Sequence, residues 1–319
     1  MSRPRACRWR GAQTDRQGNR LRRSPALSWF GVVNPAAGRR GSPYNEVLAV
    51  SSEIGLDAEF VESTSPSDVI LRISDAHAAG HRRFISVGGD GTAHLVLNAI
   101  MQATGDERCV LGIVPAGSGS DFVRTFGHRR GVRPGLERIV DADLYTVDIG
   151  TASGSFGNTY FLNALNLGVA AASAATANRL PRRAGSARYT TAFWIALWRF
   201  ASGPIIATVD RHRFEGEAIN VVVANGQFFG GGLNIAPRSV LTDGKMDVQI
   251  FRGPRRQAFA IMPRVLRGTH LTHRGVQRYS GSSIRVEVPD DWPIEADGEI
   301  IGRGSVTIHV IPEAIDVVI

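Results

Sequence analysis

The sequence predicts an α/β protein in two domains. The first is an α/β domain built on a mostly parallel sheet, and the second is β-rich. Two observations carry this. Up to about residue 142, short apolar runs alternate with helical patterns, and three of those runs end in Gly- or Ser-rich turns. After Asp141 the apolar runs crowd together, separated mostly by glycine and proline turns. With 319 residues and 43% hydrophobic content, the chain is long enough for two cores. It divides into a basic tail over 1–24, a first domain over 25–146 and a second over 147–319.

In order, Leu27 to Val33 reads as the first strand, closed by Asn34-Pro35-Ala36-Ala37-Gly38 and two arginines. A helix follows to about Ser52, then a strand from Ala58 to Glu62. Thr64-Ser65-Pro66 starts the next helix, with proline near its first position. Phe84 to Val87 is the third strand and runs into Gly88-Gly89-Asp90-Gly91-Thr92, where a helix begins at once. Val110 to Val114 is the fourth, leading through Pro115-Ala116-Gly117-Ser118-Gly119-Ser120 into a helix that carries Asp121, Phe122 and Arg124.

Strand, glycine-rich turn and helix start are the parts of a phosphate site, or of a plain tight βα turn with Asp90 as helix N-cap. Glycines let the backbone approach an anion, some by taking positive φ, and the first helical N–H groups point at the loop. Thr92 is placed to cap its helix or touch a phosphate. Asp90 beside a polyphosphate points to a bridging Mg²⁺. In a parallel sheet the three turns fall on one edge, where ligands bind.

In the second domain, strands are expected at Leu144–Gly150, Asn158–Ala164, Pro204–Asp210, Ala218–Ala224, Met246–Phe251, Val276–Ser280, Ile284–Val288 and Ser305–Ile311, mostly antiparallel. Two helices interrupt them. Arg188 to Ala201 and Arg255 to Arg267 each join bulky apolar residues to arginines, a composition that suits a membrane surface, a lipid-tail groove or an ordinary core-facing helix. Asp243-Gly244-Lys245 reads as a turn or an oxygen-rich cation site. Glu295-Ala296-Asp297-Gly298-Glu299 reads as an acidic hairpin turn or a source of a general base and a Mg²⁺ contact.

Composition removes several classes. Lys245 is the only lysine, so there is no P-loop lysine and no Schiff-base candidate. His270 and His273, in a Gly/Thr/Arg-rich stretch, read as solvated loop residues rather than metal ligands. Two cysteines make no disulfide framework, and no apolar run approaches the roughly 20 residues of a spanning helix. A cytoplasmic protein with at most peripheral membrane contact is expected. Residues 1–24 hold eight arginines and one acid, so most of the net charge of +8 lies in a tail expected to be disordered, free to touch RNA or anionic lipid without specific nucleic-acid recognition.

Taken together, these motifs resemble the diacylglycerol kinase catalytic-domain family, which also covers bacterial lipid kinases and sphingosine kinases. The resemblance runs from about Leu27 onward. It rests on Asn34-Pro35 with Gly38, Gly88-Gly89-Asp90-Gly91-Thr92, Pro115-x-Gly117-Ser118-x-Ser120-Asp121-Phe122-x-Arg124, Asp243-Gly244 and Asp297-Gly298-Glu299. It implies a nucleotide-binding first domain, a sandwich-like second domain, and ATP and a lipid acceptor meeting in the cleft. Asn34, Pro35, Ala36, Ala37, Gly38, Thr64, Gly88 to Gly91, Thr92, Ala93, His94, Leu95 and Ser118 would line ATP. Asp90 and Asp121 would place a catalytic Mg²⁺, and Arg124 would help neutralise the polyphosphate. Asp297 would be the base, with Glu299 supporting it or sharing the role. Asp243 with the carbonyls of Val240 and Lys245 would hold a structural Mg²⁺.

The chain departs from the family pattern at Leu95, Ser118 and Ser120. The resemblance implies an ATP- and Mg²⁺-dependent lipid kinase acting on diacylglycerol or a similar amphiphile. A relative that binds without turnover, an NAD kinase, and a homodimer stay open.

Overall fold

A computed structural model describes residues 28–38, 41–105, 107–117, 120–180 and 187–319. The basic tail, the arginine pair after Gly38, and Ser118 lie outside the described residues.

The first domain runs β1 (Trp29–Val33), α1 (Tyr44–Glu53), β2 (Ala58–Glu62), α2 (Pro66–Ala78), β3 (Arg83–Gly88), α3 (Asp90–Thr104), β4 (Val110–Pro115) and α4 (Val132–Asp141). Its strands pair in parallel in the order β2–β1–β3–β4. The period of two sends alternate residues to opposite faces. Phe30, Val32, Phe84 and Leu111 enter a core under α2 and α3, whereas Trp29, Val33, Ile85 and Val114 enter another under α1 and α4. Helices cover both faces, so all four C-terminal strand ends meet at one edge.

The second domain runs β5 (Leu144–Gly154), β6 (Gly157–Phe161), β7 (Ala164–Gly168), α5 (Val169–Arg179), α6 (Ala187–Arg199), β8 (Gly203–Val209), β9 (His212–Ala224), β10 (Phe228–Phe229), β11 (Leu233–Asn234), β12 (Met246–Arg252), α7 (Ala258–Leu266), β13 (Val276–Gly281), β14 (Ser283–Glu287), β15 (Pro293–Ala296), β16 (Glu299–Arg303) and β17 (Val306–Val318). Apart from one parallel contact of β17, its pairings are antiparallel. In β9, Val221 and Val223 face the main interior while Val222 and Ala224 face a second core with Ile235, Ile261 and Val265. Both faces are covered, which is why the stretch is a continuous apolar run.

Strand β17 joins the two domains. Its first half pairs with β14, its length pairs with β5, and Asp316 and Val317 lie parallel to Val110 and Leu111 of β4.

Four expectations need correction. The strand expected at Asn158–Ala164 breaks between β6 and β7, because the N–H groups of Leu162, Asn163 and Ala164 turn to a carboxylate instead of a neighbouring strand. The helix expected around Arg124 is a single 3₁₀ turn, Phe122–Phe126, ended by left-handed Gly127. Helix α5 was not expected from its alanine-rich sequence. His270 is fully buried, with Nε2 2.9 Å from both Ile235 O and Gln249 Oε1. Among the described residues, no helix is long and apolar enough to cross a membrane.

Candidate active site

The three glycine-containing turns meet. Asn34 Nδ2 donates to Thr92 Oγ1 at 2.9 Å, and Asn34 Oδ1 accepts from Ala36 N–H, which closes the turn Asn34-Pro35-Ala36-Ala37-Gly38. Thr92 therefore receives a bond from the first loop and does not cap α3, whose N-cap is Gly89. Ala116 and Gly117 N–H both donate to Gly88 O, at 3.0 and 3.1 Å. The glycines here supply room and not left-handed backbone. A Cβ on Gly88 would lie 2.2 Å from Thr92 Oγ1, and one on Gly117 would lie 3.2 Å from Gly89 Cα. Thr64 is exposed at the end of β2, beside the first loop through Ser63 N–H to Val33 O. Leu95 turns into the core under α3, and Ala93 is buried there too.

Two acids line the cleft next to these loops. Both oxygens of Asp90 accept from Asp121 N–H, at 2.9 and 3.0 Å. Asp121 Oδ2 accepts from Gly231 N–H of the second domain at 2.6 Å. Arg124 Nε is 3.1 Å from Asp121 Oδ1, an ion pair outside hydrogen-bond angles. Burial, and then the charge of Asp121, push the Asp90 carboxyl up to about 7. Burial also raises Asp121.

The second domain contributes a hairpin. β15 and β16 are joined by Asp297-Gly298, with φ of 49° and 95°. Two central residues with positive φ make the Asp-Gly hairpin turn favoured by strand twist. The Asp297 side chain folds back into the protein. Oδ1 accepts from Asn163 and Ala164 N–H at 2.9 and 3.0 Å, and Oδ2 accepts from Leu162 N–H at 2.8 Å with His94 Nδ1 at 3.3 Å. Of the roughly four acceptor positions of an ionised carboxylate, three are taken by backbone N–H groups, and the His94 ring stands beside Oδ2.

Glu299 is placed otherwise. The residue is exposed, yet its carboxyl tip reaches α3, where a Cβ on Gly91 would lie 2.1 Å from Oε1. Desolvation raises its carboxyl, with His94 pulling the other way. Glu295 is buried beneath the hairpin. It accepts from Gly298 N–H and, at 2.6 Å, from Asn166 Nδ2, and burial pushes it up to about 8.

The turn with Val240, Asp243 and Lys245 stands apart from these carboxylates. Asp243 Oδ1 accepts from Lys245 N–H, and the buried Asp148 holds the turn by accepting from Gly244 N–H at 2.7 Å.

A cavity of about 260 Å³ connects the acids to the two apolar helices. Asp90, Asp121, Asn163, Glu295 and Asp297 lie at its polar end; Phe193, Trp194, Leu197, Ile261 and Val265 form apolar walls. Asn163 Oδ1 and Asp121 Oδ1 are both buried and have no hydrogen-bond partner.

The sequence reading missed Asn98, Asn163 and Asp148. Asn98 accepts from Thr159 Oγ1 and Tyr160 N–H and donates to Tyr160 O, so it ties α3 to β6. The only local signal was polarity in apolar surroundings, for Asn98 on α3 and for Asp148 within β5. His94 was expected at the nucleotide; it is buried and faces Asp297.

Residues 28–152 match the family described as diacylglycerol kinase catalytic domain, and residues 163–319 match the YegS C-terminal NAD kinase beta sandwich-like domain. A probable lipid kinase YegS-like from Shewanella frigidimarina is 25% identical over 259 residues, covering 81% of this chain and 82% of that protein. Lipid kinase YegS from Escherichia coli K12 is 23% identical over 276 residues, covering 86% and 90%. The crystal structure of a putative diacylglycerol kinase from Bacillus anthracis superposes with a TM-score of 0.76 at 20% identity, covering 91% and 94%. That likeness bears on the fold, and it agrees with the two-domain architecture found here. With both domain matches in succession and the glycine loops and Asp-Gly-Glu hairpin of this site brought to one cleft, the chain belongs to the diacylglycerol kinase catalytic-domain family, with a YegS-type second domain.

Proposed function

We infer that this protein is an ATP- and Mg²⁺-dependent lipid kinase that phosphorylates a hydroxyl of diacylglycerol or a related amphiphile at a membrane surface. The observation that carries the reading is the cavity, lined by carboxylates and by walls that are mostly aromatic and aliphatic, with Arg252, Arg255 and Gln257 among them. An acceptor with a hydroxyl head and an acyl tail matches that polarity. A nucleoside acceptor such as NAD would want polar partners where Phe193, Trp194 and Leu197 stand.

Phosphoryl transfer needs positioning and charge neutralisation more than covalent chemistry. The first N–H groups of α3 lie where the loops at Asn34, Gly88–Thr92 and Gly117 meet and would face the polyphosphate, and Arg124 adds positive charge. The acceptor oxygen attacks the γ-phosphorus, its proton passes to a carboxylate, and ADP leaves.

We assign the proton to Glu299. The family resemblance places that role first on Asp297, with Glu299 supporting or sharing it; the three backbone N–H groups bonded to Asp297 support an anchoring role for it instead. The donor set also suits a cation. Asn163 Oδ1 is a buried oxygen with no hydrogen-bond partner, and Asp121 Oδ1 has the off-angle ion pair with Arg124 but no hydrogen bond, so with Asp90 lining the same cavity the three would hold catalytic Mg²⁺. When bound, that ion neutralises charge on the transferring phosphates. A structural Mg²⁺ is assigned to the turn of Val240, Asp243 and Lys245, near Asp148.

The test is ATP-dependent phosphate transfer to diacylglycerol, monoacylglycerol, sphingosine, ceramide and NAD in mixed micelles, with and without Mg²⁺, beside Glu299→Gln. Mg²⁺-dependent transfer to one lipid that collapses in the variant supports the reading. Transfer to NAD alone, or ATP binding without transfer to any acceptor, overturns it.

A further inference from the structure

Charge is divided unevenly along this chain. Val169–Val209 and Val248–Val286 contain thirteen arginines and not one aspartate or glutamate, in a protein whose net charge is only +8. These two stretches form α5, α6, β8, nearly all of β12, α7, β13 and most of β14. They also supply the apolar walls of the cavity.

Where the stretches meet, large apolar side chains stand in solvent. Trp198 is 79% exposed, Phe259 66% and Leu266 63%. They form one rim. Phe259 stacks on Trp194 with ring centroids 4.8 Å apart, and Trp198 lies one turn beyond Trp194 on α6. Leu266 lies two turns from Phe259 on α7. Arg255 donates to Trp198 O, which fastens the end of α6 to the start of α7. Around the rim, Arg199, Arg256, Arg264 and Arg267 are exposed, and none pairs with a carboxylate among the described residues.

We propose that the α6–α7 rim is a docking surface for an anionic phospholipid bilayer, with Trp198, Phe259 and Leu266 entering the interface and the arginines meeting the headgroup phosphates. This rests on the lipid-kinase reading, because the rim borders the cavity assigned to the acceptor. A rim whose own two segments carry arginines and no acids, with Glu217 as a nearby acid on β9, fits a partner that presents mainly negative charge. Aromatic rings beside arginine stems match the layering of an interface, apolar below and phosphate above. Docking there lets a lipid pass from the bilayer to the carboxylates without crossing water.

The test uses the full chain in co-sedimentation with phosphatidylcholine vesicles, with and without phosphatidylglycerol. One variant combines Trp198→Ser and Phe259→Ser; another combines Arg256→Gln, Arg264→Gln and Arg267→Gln. These residues lie outside the cavity lining. Affinity for phosphatidylglycerol vesicles is expected to fall about 100-fold in the arginine variant, roughly fivefold per charge. It falls at least about tenfold in the aromatic variant, which also loses a blue shift of tryptophan emission on vesicle addition. Transfer to a short-chain, monomeric diacylglycerol stays within about twofold in both. Unchanged vesicle affinity in both variants overturns the proposal and points to another surface or the basic tail. A rim-dependent dimer in sedimentation velocity, with no vesicle binding, also overturns it. Failure of wild-type transfer to the monomeric lipid sinks the kinase reading and leaves the vesicle result to stand alone.

Discussion

Glu299 Oε1 occupies the space in which a side chain at Gly91 would begin: a Cβ there would lie 2.1 Å from that oxygen. This glycine of the Gly88–Thr92 loop thus makes room for a carboxylate from the other domain. Gly91 sits in the first turn of α3 and does not use positive φ, so alanine suits its backbone. Gly91→Ala should displace Glu299 and lower kcat about 100-fold or more, the scale of a lost general base, while the melting temperature holds. Steady-state kinetics beside a thermal melt checks both halves.

Asp297 and Glu299 should separate in the same pair of assays. Asp297→Asn replaces an acceptor oxygen with a donor that faces buried backbone N–H groups. Each donor left unpaired costs about 1–3 kcal/mol, so this variant should melt well below wild type. Glu299→Gln should melt near wild type and lose turnover. If Asp297→Asn keeps full stability and loses only turnover, Asp297 is the base.

The raised carboxyl of Glu295 gives a pH signature. Its folded value of about 8 lies above its unfolded one, so the native state holds the proton longer. Stability from this group is fully present below the usual carboxylate range and is lost as pH rises toward about 8. Glu295→Gln keeps an acceptor for Gly298 and removes the titration. Thermal melts from pH 5 to pH 9 should therefore show a shallower decline than wild type, with the variant gaining most at the alkaline end.

Asp90→Asn should abolish Mg²⁺-dependent stabilisation by ATP. Asparagine still accepts from Asp121 N–H, so the metal-free melt should change little. Differential scanning fluorimetry with ATP, with and without Mg²⁺, reads this directly. An intact Mg²⁺-dependent shift would move the cation away from Asp90.

Much of the fold was legible because its signals are local. Alternating strands and helices gave the parallel sheet, and the turns at Asn34, Gly88 and Gly117 announced one ligand edge. What failed was nonlocal. The break between β6 and β7 is made by Asp297, 135 positions from Leu162, and no local pattern could announce it. His270 sits in a stretch that reads as loop, yet a polar partner in Gln249 lets it be buried. The family resemblance put the base at Asp297 with Glu299 in support; the donors around each are what the sequence could not display. The glycines were read correctly as a loop, but their reason proved to be space for Thr92 and Glu299 and not backbone freedom.

Strand β17 sets the order of assembly during synthesis. Strands β1 to β4 leave the ribosome long before Asp316 and Val317, so the first sheet waits with β4 unpaired along that edge. An open apolar edge invites pairing with other chains. The first sheet is therefore completed only after β17 is made, and that strand ties the two halves together alongside the bonds from Gly231 to Asp121 and between Asn98 and Tyr160. Expressing residues 25–146 alone should give an aggregating fragment, and co-expressing a peptide that spans β17 should rescue its solubility.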